Sequence, residues 1–165
     1  MNELVTPPHR HLGEILTAWS SHPVFQDKPA LLADDRSWTF EQLWGETNRL
    51  ARVLRSSGVG RGQVVALLLP NCPEYALMFF AVLKLGAAVM PVNPALKAPE
   101  IVYQLENAGA VQVIAHTSCA PQLIKVLEKV RTLRKVWYAD AAADRLDSLY
   151  HFAPDHTAMP PEGPV

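Results

Sequence analysis

The sequence has few cysteines, little net charge and no clustered metal ligands, and each shortage excludes a class of protein. Cys72 and Cys119 are the only cysteines in 165 residues, so we expect two free structural thiols rather than a disulfide framework or a thiolate metal site. Fifteen basic residues against 16 acidic ones give a formal charge of −1, which argues against nucleic acid or an anionic membrane as a mainly electrostatic partner. His9, His11 and His22 have no acidic or thiol cluster beside them, and we expect no metal there.

The sequence also lacks an apolar run that could cross a membrane as a helix. Residues 75–92 have about the necessary length, but Lys84 would lie near mid-membrane, and Gly86 and Pro91 break the helix too early. The first residues show no basic, apolar and small-residue leader pattern. We therefore expect a soluble, cytoplasmic protein without a membrane span. Its 49% apolar content is enough for one hydrophobic core.

The central stretch, residues 64–92, has the pattern of a strand, a helix and a second strand. Residues 64–69 form a short apolar run closed by Pro70, as in a strand buried on both faces. Residues 75–85 contain one polar side chain and end at Gly86, a natural helix stop, before a second apolar run at residues 87–92. Two strands joined by a crossover helix build parallel sheets.

The start of this central helix is predicted from three residues. Asn71 is the expected N-cap, Glu74 follows three residues later in the capping-box position, and Pro73 falls in the first turn, where its missing N–H costs nothing.

Further elements are predicted on both sides of the central unit, from hydrophobic spacing and from cap and turn residues. In chain order they are a helix from Leu12 to Trp19, a hairpin of residues 30–33 and 37–39, a helix capped by Thr39 and Gln42, a helix from Pro99 to Gly109, a strand at 111–115, a helix at 121–135, a strand at 136–139 and a helical turn within 144–151. We divide the chain into a loose arm (1–11), an α/β unit (12–140) and a Pro-rich, loose tail (141–165).

Several polar features allow a functional interpretation, and a structural one is favoured for each. His116, Thr117, Ser118 and Cys119 follow a strand end, where ligands approach open sheets, but no carboxylate orients a nucleophile there; Thr117 or Ser118 is the expected helix cap. The glycines of GVGRG, residues 58–62, follow a helix and precede a strand, the reverse of a phosphate-binding loop.

Several charged and aromatic residues also allow two interpretations, and the structural one is favoured for each. Arg49, Arg52 and Arg55 are expected on a solvated helix face rather than in a binding patch. The cations at the end of the last predicted helix complement its dipole; they are Lys129, Arg131, Arg134 and Lys135. Phe79 and Phe80 are favoured as core, with the border of an acyl pocket as the alternative. Asp34 and Asp35 suggest a phospho-receiver domain, but no later strand end supplies the further acid and lysine.

Four marks in fixed order carry a family resemblance within residues 29–115. They are SWTF at 37–40, GVGRGQVVALLLPN at 58–71, LGAAVMPVNP at 85–94 and ENAGAVQVI at 106–114. Together they resemble the opening part of the adenylate-forming superfamily, in particular the AMP-forming acyl-CoA synthetases, which include fatty acid, coumarate and benzoate CoA ligases. The resemblance implies a three-layer α/β/α fold with a mostly parallel sheet, the first part of the large N-terminal domain. Residues 116–140 fit it more loosely.

The resemblance also implies a reaction: ATP and a fatty or aromatic acid form an acyl-adenylate, and CoA then displaces AMP. That chemistry requires a Ser/Thr/Gly-rich phosphate loop, a Mg²⁺-binding acid and a mobile lysine, and no stretch of these 165 residues resembles them. We therefore expect an N-terminal fragment with no catalytic, cofactor-binding or metal residue of its own; ATP, Mg²⁺ and CoA belong to the full-length family. Its partner would be the remaining synthetase chain or a second copy, through uncovered apolar surface. A stand-alone, non-catalytic interaction or ligand-binding module is the alternative.

Overall fold

The computed structural model describes residues 12–33, 36–139 and 149–152. The predicted arm, the turn residues Asp34 and Asp35 and most of the predicted tail lie outside this part. The strands are β1 (Pro29–Ala33), β2 (Arg36–Thr39), β3 (Val64–Leu68), β4 (Ala88–Pro91), β5 (Ala110–Ala115), β6 (Lys135–Ala139) and β7 (Leu149–Phe152). The helices are α1 (Ile15–Ser20), α2 (Phe40–Ser56), α3 (Pro73–Lys84), α4 (Ala98–Ala108) and α5 (Ala120–Leu127). None of these helices is long and apolar enough to cross a membrane.

A sheet of order β4-β3-β5-β6-β7 forms the middle layer. Its first four strands are parallel, and β7 runs antiparallel to β6. At the centre, Val65 of β3 lies opposite Val89 of β4 and Gln112 of β5. The strand β4 is an outer strand of the described sheet and ends in Pro91. β1 and β2 form a separate antiparallel hairpin, as predicted.

The side chains of β3 alternate between two hydrophobic clusters, one on each face of the sheet. Val65 and Leu67 pack with the buried residues of α2 and α3, whereas Ala66 and Leu68 pack with those of α4 and α5. Strand side chains point to opposite faces with a period of two, so a fully apolar strand buries both. The three-layer α/β/α arrangement with a mostly parallel sheet is confirmed.

Helix starts show where local sequence suffices and where it does not. The capping box of α2 is present, since Thr39 Oγ1 accepts the Gln42 N–H at 3.2 Å and Gln42 Oε1 accepts the Thr39 N–H at 2.9 Å. The predicted box of α3 is wrong: its N-cap is Cys72 rather than Asn71, and no side chain caps it. The carboxylate of Glu74 binds Arg36 instead of folding back on its own helix.

Two predictions near the end of the described chain are also wrong. The helix predicted over 121–135 ends at Leu127, because the chain then turns so that Val130 and Leu133 enter the core, and the Arg134 N–H donates to the Val111 carbonyl at 2.8 Å. The cations predicted to face the helix dipole therefore follow the helix, and Lys135 begins β6. Where a helical turn was predicted, residues 149–152 pair as a strand with the open backbone edge of β6.

Candidate functional site

A cleft of about 490 Å³ opens at the carboxyl ends of β3 and β5, where ligands bind in open α/β sheets. Its walls come from the hairpin, from the turn leading into α3, and from the residue after β5. The lining side chains with polar or ionisable groups are Arg36, Asn71, Cys72, Glu74, Tyr75 and His116. The cleft is therefore a candidate functional site.

An ion pair closes one wall of the cleft. Arg36 Nη1 on β2 donates to Glu74 Oε1 on α3 at 2.9 Å, with the Glu74 side chain 5% exposed and that of Arg36 46% exposed. The Arg36 guanidinium also lies 5.3 Å from the ring centroid of Trp38. The only carboxylate lining the cleft among the described residues is thus neutralised, which suits anchoring of the hairpin better than acid–base catalysis.

Cys72 is the thiol of the cleft, and its surroundings favour the protonated form. Burial raises the pKa of the half-buried Cys72 thiol, with a smaller contribution in the same direction from the Glu74 charge. The thiolate is the reactive form of cysteine, so this environment disfavours nucleophilic attack. Both Cys72 and the buried Cys119 are free thiols.

His116 and Ser118 are brought together by a local turn. The His116 Nδ1 atom accepts the Ser118 backbone N–H at 3.2 Å and lies 2.7 Å from Ser118 Oγ. His116 is therefore the N-cap of the 3₁₀ turn Thr117–Cys119, so Thr117 and Ser118, the predicted caps, do not fill that role. Within the described ranges, the His116 ring donates no hydrogen bond to a carboxylate. The arrangement is a capped turn, the structural interpretation that the sequence favoured.

The other sequence candidates lie away from this cleft. Gly58 and Gly62 have φ of 89° and 81° and turn the chain from α2 into β3, which is the predicted arrangement. Phe79 and Phe80 lie on α3 and pack, partly buried, against the core, as in the favoured interpretation. In the part of the chain that the structure describes, no group of three His, Cys, Asp or Glu residues could hold a metal.

The pairing of Arg36 with Glu74 was missed by sequence reasoning. One signal was available, because Glu74 is the only acid in a helix whose one other charged residue, Lys84, lies at the far end, and a buried carboxylate requires a partner. The partner itself lies 38 residues away. No periodicity or cap pattern connects two such positions.

Comparison with known proteins gives a consistent result. The family model described as AMP-binding enzyme matches residues 19–164. A long-chain-fatty-acid–CoA ligase, FadD13 of Mycobacterium tuberculosis, is 36% identical over 117 residues, which are 69% of this chain and 23% of that protein. Tyrocidine synthase 3 of Brevibacillus parabrevis is 37% identical over 100 residues, 61% of this chain and 2% of that protein.

Solved structures share the architecture as well. The inhibitor-bound N-terminal domain of FACL13 from Mycobacterium tuberculosis matches with a TM-score of 0.75 and 31% identity, over 92% of this chain and 38% of that one. The anthranilate CoA ligase AuaEII in complex with anthranoyl-AMP matches with a TM-score of 0.72 and 32% identity, over 79% of this chain and 25% of that one. The chain spans less than a quarter of the length of the curated relatives described above.

Proposed function

The chain belongs to the family of AMP-binding enzymes, and from that premise we propose that it forms the first α/β unit of an ATP-dependent, AMP-forming acid–CoA ligase. The observation that carries the proposal is the length of the family match, which covers residues 19–164 and so runs from the end of α1 past β7. A CoA ligase is supported by FadD13, which aligns with 69% of this chain, and by the anthranilate CoA ligase AuaEII, whose structure matches 79% of it. Fatty and aromatic acids are the proposed substrate class.

The proposed reaction forms an acyl-adenylate and pyrophosphate from a carboxylate and ATP, and the CoA thiol then displaces AMP. The described carboxyl edge does not fit Mg²⁺·ATP by itself, because Glu74 is already bonded to Arg36 and a metal-bound triphosphate needs free carboxylates and cations. We therefore propose that these 165 residues do not adenylate alone. A cytoplasmic location follows from the same proposal, because ATP and CoA are cytoplasmic substrates.

The proposal that the chain does not form an adenylate alone is tested by calorimetric titration of the folded chain with ATP·Mg²⁺. An acyl-sulfamoyl-adenosine mimic of the intermediate is titrated in parallel. We expect no heat of binding from either ligand. Micromolar binding of either one would contradict the proposal and would favour an independent ligand-binding module.

The ligase assignment is tested by a chimera in which residues 19–139 replace the equivalent segment of FadD13. Because the two sequences are 36% identical over 117 residues, we expect acid-dependent exchange of pyrophosphate into ATP to survive in the chimera. Exchange rates measured with a panel of fatty, coumaric and anthranilic acids then show which acid the chimera prefers. A folded, monodisperse chimera that is inactive with every acid, beside an active parent enzyme, would contradict the assignment.

We also propose that this chain has a protein partner that covers its exposed apolar side chains. Leu32, Tyr103 and Ile124 are large apolar side chains that are 71%, 70% and 59% exposed, and exposed apolar surface tends to be covered by protein. The remaining synthetase chain or a second copy would cover it. A clean monomer in sedimentation at high concentration would count against self-association.

A further inference from the structure

A second cleft, of about 420 Å³, lies between α1, α2 and the end of α3. The helix α3 starts at the carboxyl end of β3 and runs back, so this cleft lies toward the amino ends of the strands, away from the first one. Its chemically informative lining residues are Thr17, Trp44, Asn48, Arg52, Arg55 and Lys84. None of them is used in the function proposed above.

Lys84 places a positively charged group, held by three hydrogen bonds, in this cleft. Its Nζ donates to the Trp44 carbonyl at 3.1 Å, to Thr47 Oγ1 at 2.7 Å and to Asn48 Oδ1 at 2.8 Å. It also lies 5.2 Å from the Trp44 ring centroid. An ammonium group has three protons, so Lys84 offers a ligand its charge rather than a free donor. Since Asn48 accepts through Oδ1, its amide N–H₂ group remains the donor end.

Arg52 and Arg55 supply the free donors. They lie three residues apart on α2 and are exposed, and neither forms an ion pair within the described ranges. Arg49 on the same helix differs, because it binds Glu46 at 3.0 Å. Glu14 also lines the cleft and has an interaction of its own. The cleft lining therefore carries three cationic side chains and one carboxylate.

We propose that this cleft binds the phosphate group of a small, soluble phosphate ester. Guanidinium groups present paired N–H donors that match phosphate oxygens. A phosphate monoester carries about −1.5 to −2 charge at neutral pH, which balances the excess of about two positive charges better than a single carboxylate does. The volume lies within the range of small-molecule pockets, about 300–1,000 Å³. The sequence alone favoured a solvated basic face on α2. The structure adds Lys84 of α3 to the same cleft, and this third cation favours a binding site.

The test uses inorganic phosphate and glycerol 3-phosphate, which lack adenine and so do not report on a nucleotide site. Binding is followed at constant ionic strength by the ¹H–¹⁵N resonance of the Trp44 indole. R52Q/R55Q removes the two donors. R131Q/R134Q is the matched control, because it removes the same charge from exposed arginines outside the cleft.

We expect saturable binding that R52Q/R55Q weakens about tenfold or more and R131Q/R134Q less than about twofold. Equal weakening by both pairs, or no saturable binding to the wild-type chain, would overturn the proposal. Binding confined to vesicles that contain a phosphoinositide would overturn the assignment to a soluble ester. If R52Q/R55Q does not fold, the single variant R55Q replaces it with the same criteria at about threefold.

Discussion

Gln112 is a fully buried amide in the middle of the sheet, and its hydrogen bonds connect three elements. It is 2% exposed. Its Nε2 donates to the Ser57 carbonyl at 3.0 Å, and its Oε1 accepts from Trp137 Nε1 at 2.7 Å. The amide thus joins the end of α2 to β5 and β6. Buried polar groups bonded in this way specify one arrangement of a core, because any other leaves them unpaired.

Gln112→Leu should lower the free energy of unfolding by about 1–3 kcal/mol, because the buried Trp137 indole N–H loses this acceptor. Removing both polar partners avoids that penalty, so the double variant Q112L/W137F should cost about 1 kcal/mol less than the sum of the two single variants. Urea denaturation of the four proteins measures this difference. Simple additivity would show that the two groups are not coupled.

Lys84 should make stability depend on pH in an alkaline window. Burial lowers the pKa of Lys84 from its ordinary 10.5 to about 8. Between these values the unfolded chain binds more protons than the folded one, so stability should rise with pH from about 8 to about 10.5. In the Lys84→Met variant the free energy of unfolding should lack this contribution to its rise with pH, while all other titrating groups are retained.

The measurement is the denaturation midpoint of wild type and K84M at several pH values across that window. Burial raises the pKa of Cys72, which lowers stability at alkaline pH in both proteins and therefore cancels in their difference. Parallel pH profiles for the two proteins would contradict the prediction.

At the scale of elements, helix ends depend on one or two residues each. The capping box of α2 could be read from Thr39 and Gln42 because both partners lie within four residues, and the stop of α4 could be read from Gly109. The start of α3 could not, because Arg36 on a different element takes the carboxylate of Glu74. Local signals fail where a distant partner competes for the same group.

Two exposed glycines with different backbone conformations test how single residues set the stability of a helix. Gly109 ends α4 with a φ of 62°, whereas Gly45 lies within α2, with no atom within 4 Å of an added Cβ. Gly109→Ala should destabilise by about 1–2 kcal/mol, since side chains disfavour the left-handed region. Gly45→Ala should stabilise by about 0.5–1 kcal/mol, since glycine weakens a helix interior. Thermal unfolding of both variants gives the signs, and two changes of the same sign would contradict this account.

At the scale of the whole molecule, the three layers follow from patterns in the sequence, whereas the contacts that connect their elements do not. Strand and helix alternation predicts the parallel sheet with helices. The strand order, the clefts at the two ends of α3 and the bond between the hairpin and α3 depend on contacts between distant residues. Residues 149–152 are the clearest case, because their pairing with β6 requires an open edge that no local pattern shows.

Arg36→Met should loosen the hairpin from the body. The Glu74 carboxylate would remain almost fully buried without its partner, at a cost of about 1–3 kcal/mol, below the range for fully buried pairs because Arg36 is half-exposed. Amide exchange should accelerate in β1 and β2 and stay unchanged in α4. The double variant R36M/E74M should recover most of the loss, because no charge is left buried.

Arg131→Met serves as the control, because it removes an exposed arginine without touching the hairpin. Uniform acceleration of exchange over the whole chain, rather than in the hairpin, would show that the pair supports global stability instead of attaching one element.

The outer strand β4 has a consequence for how the protein behaves when it is crowded. It is only four residues long and ends in Pro91, which has no N–H to offer a neighbouring strand. Short outer strands with proline resist templating by other chains. At this edge the sheet should not seed fibrils, and precipitates that form through it should lack cross-β order.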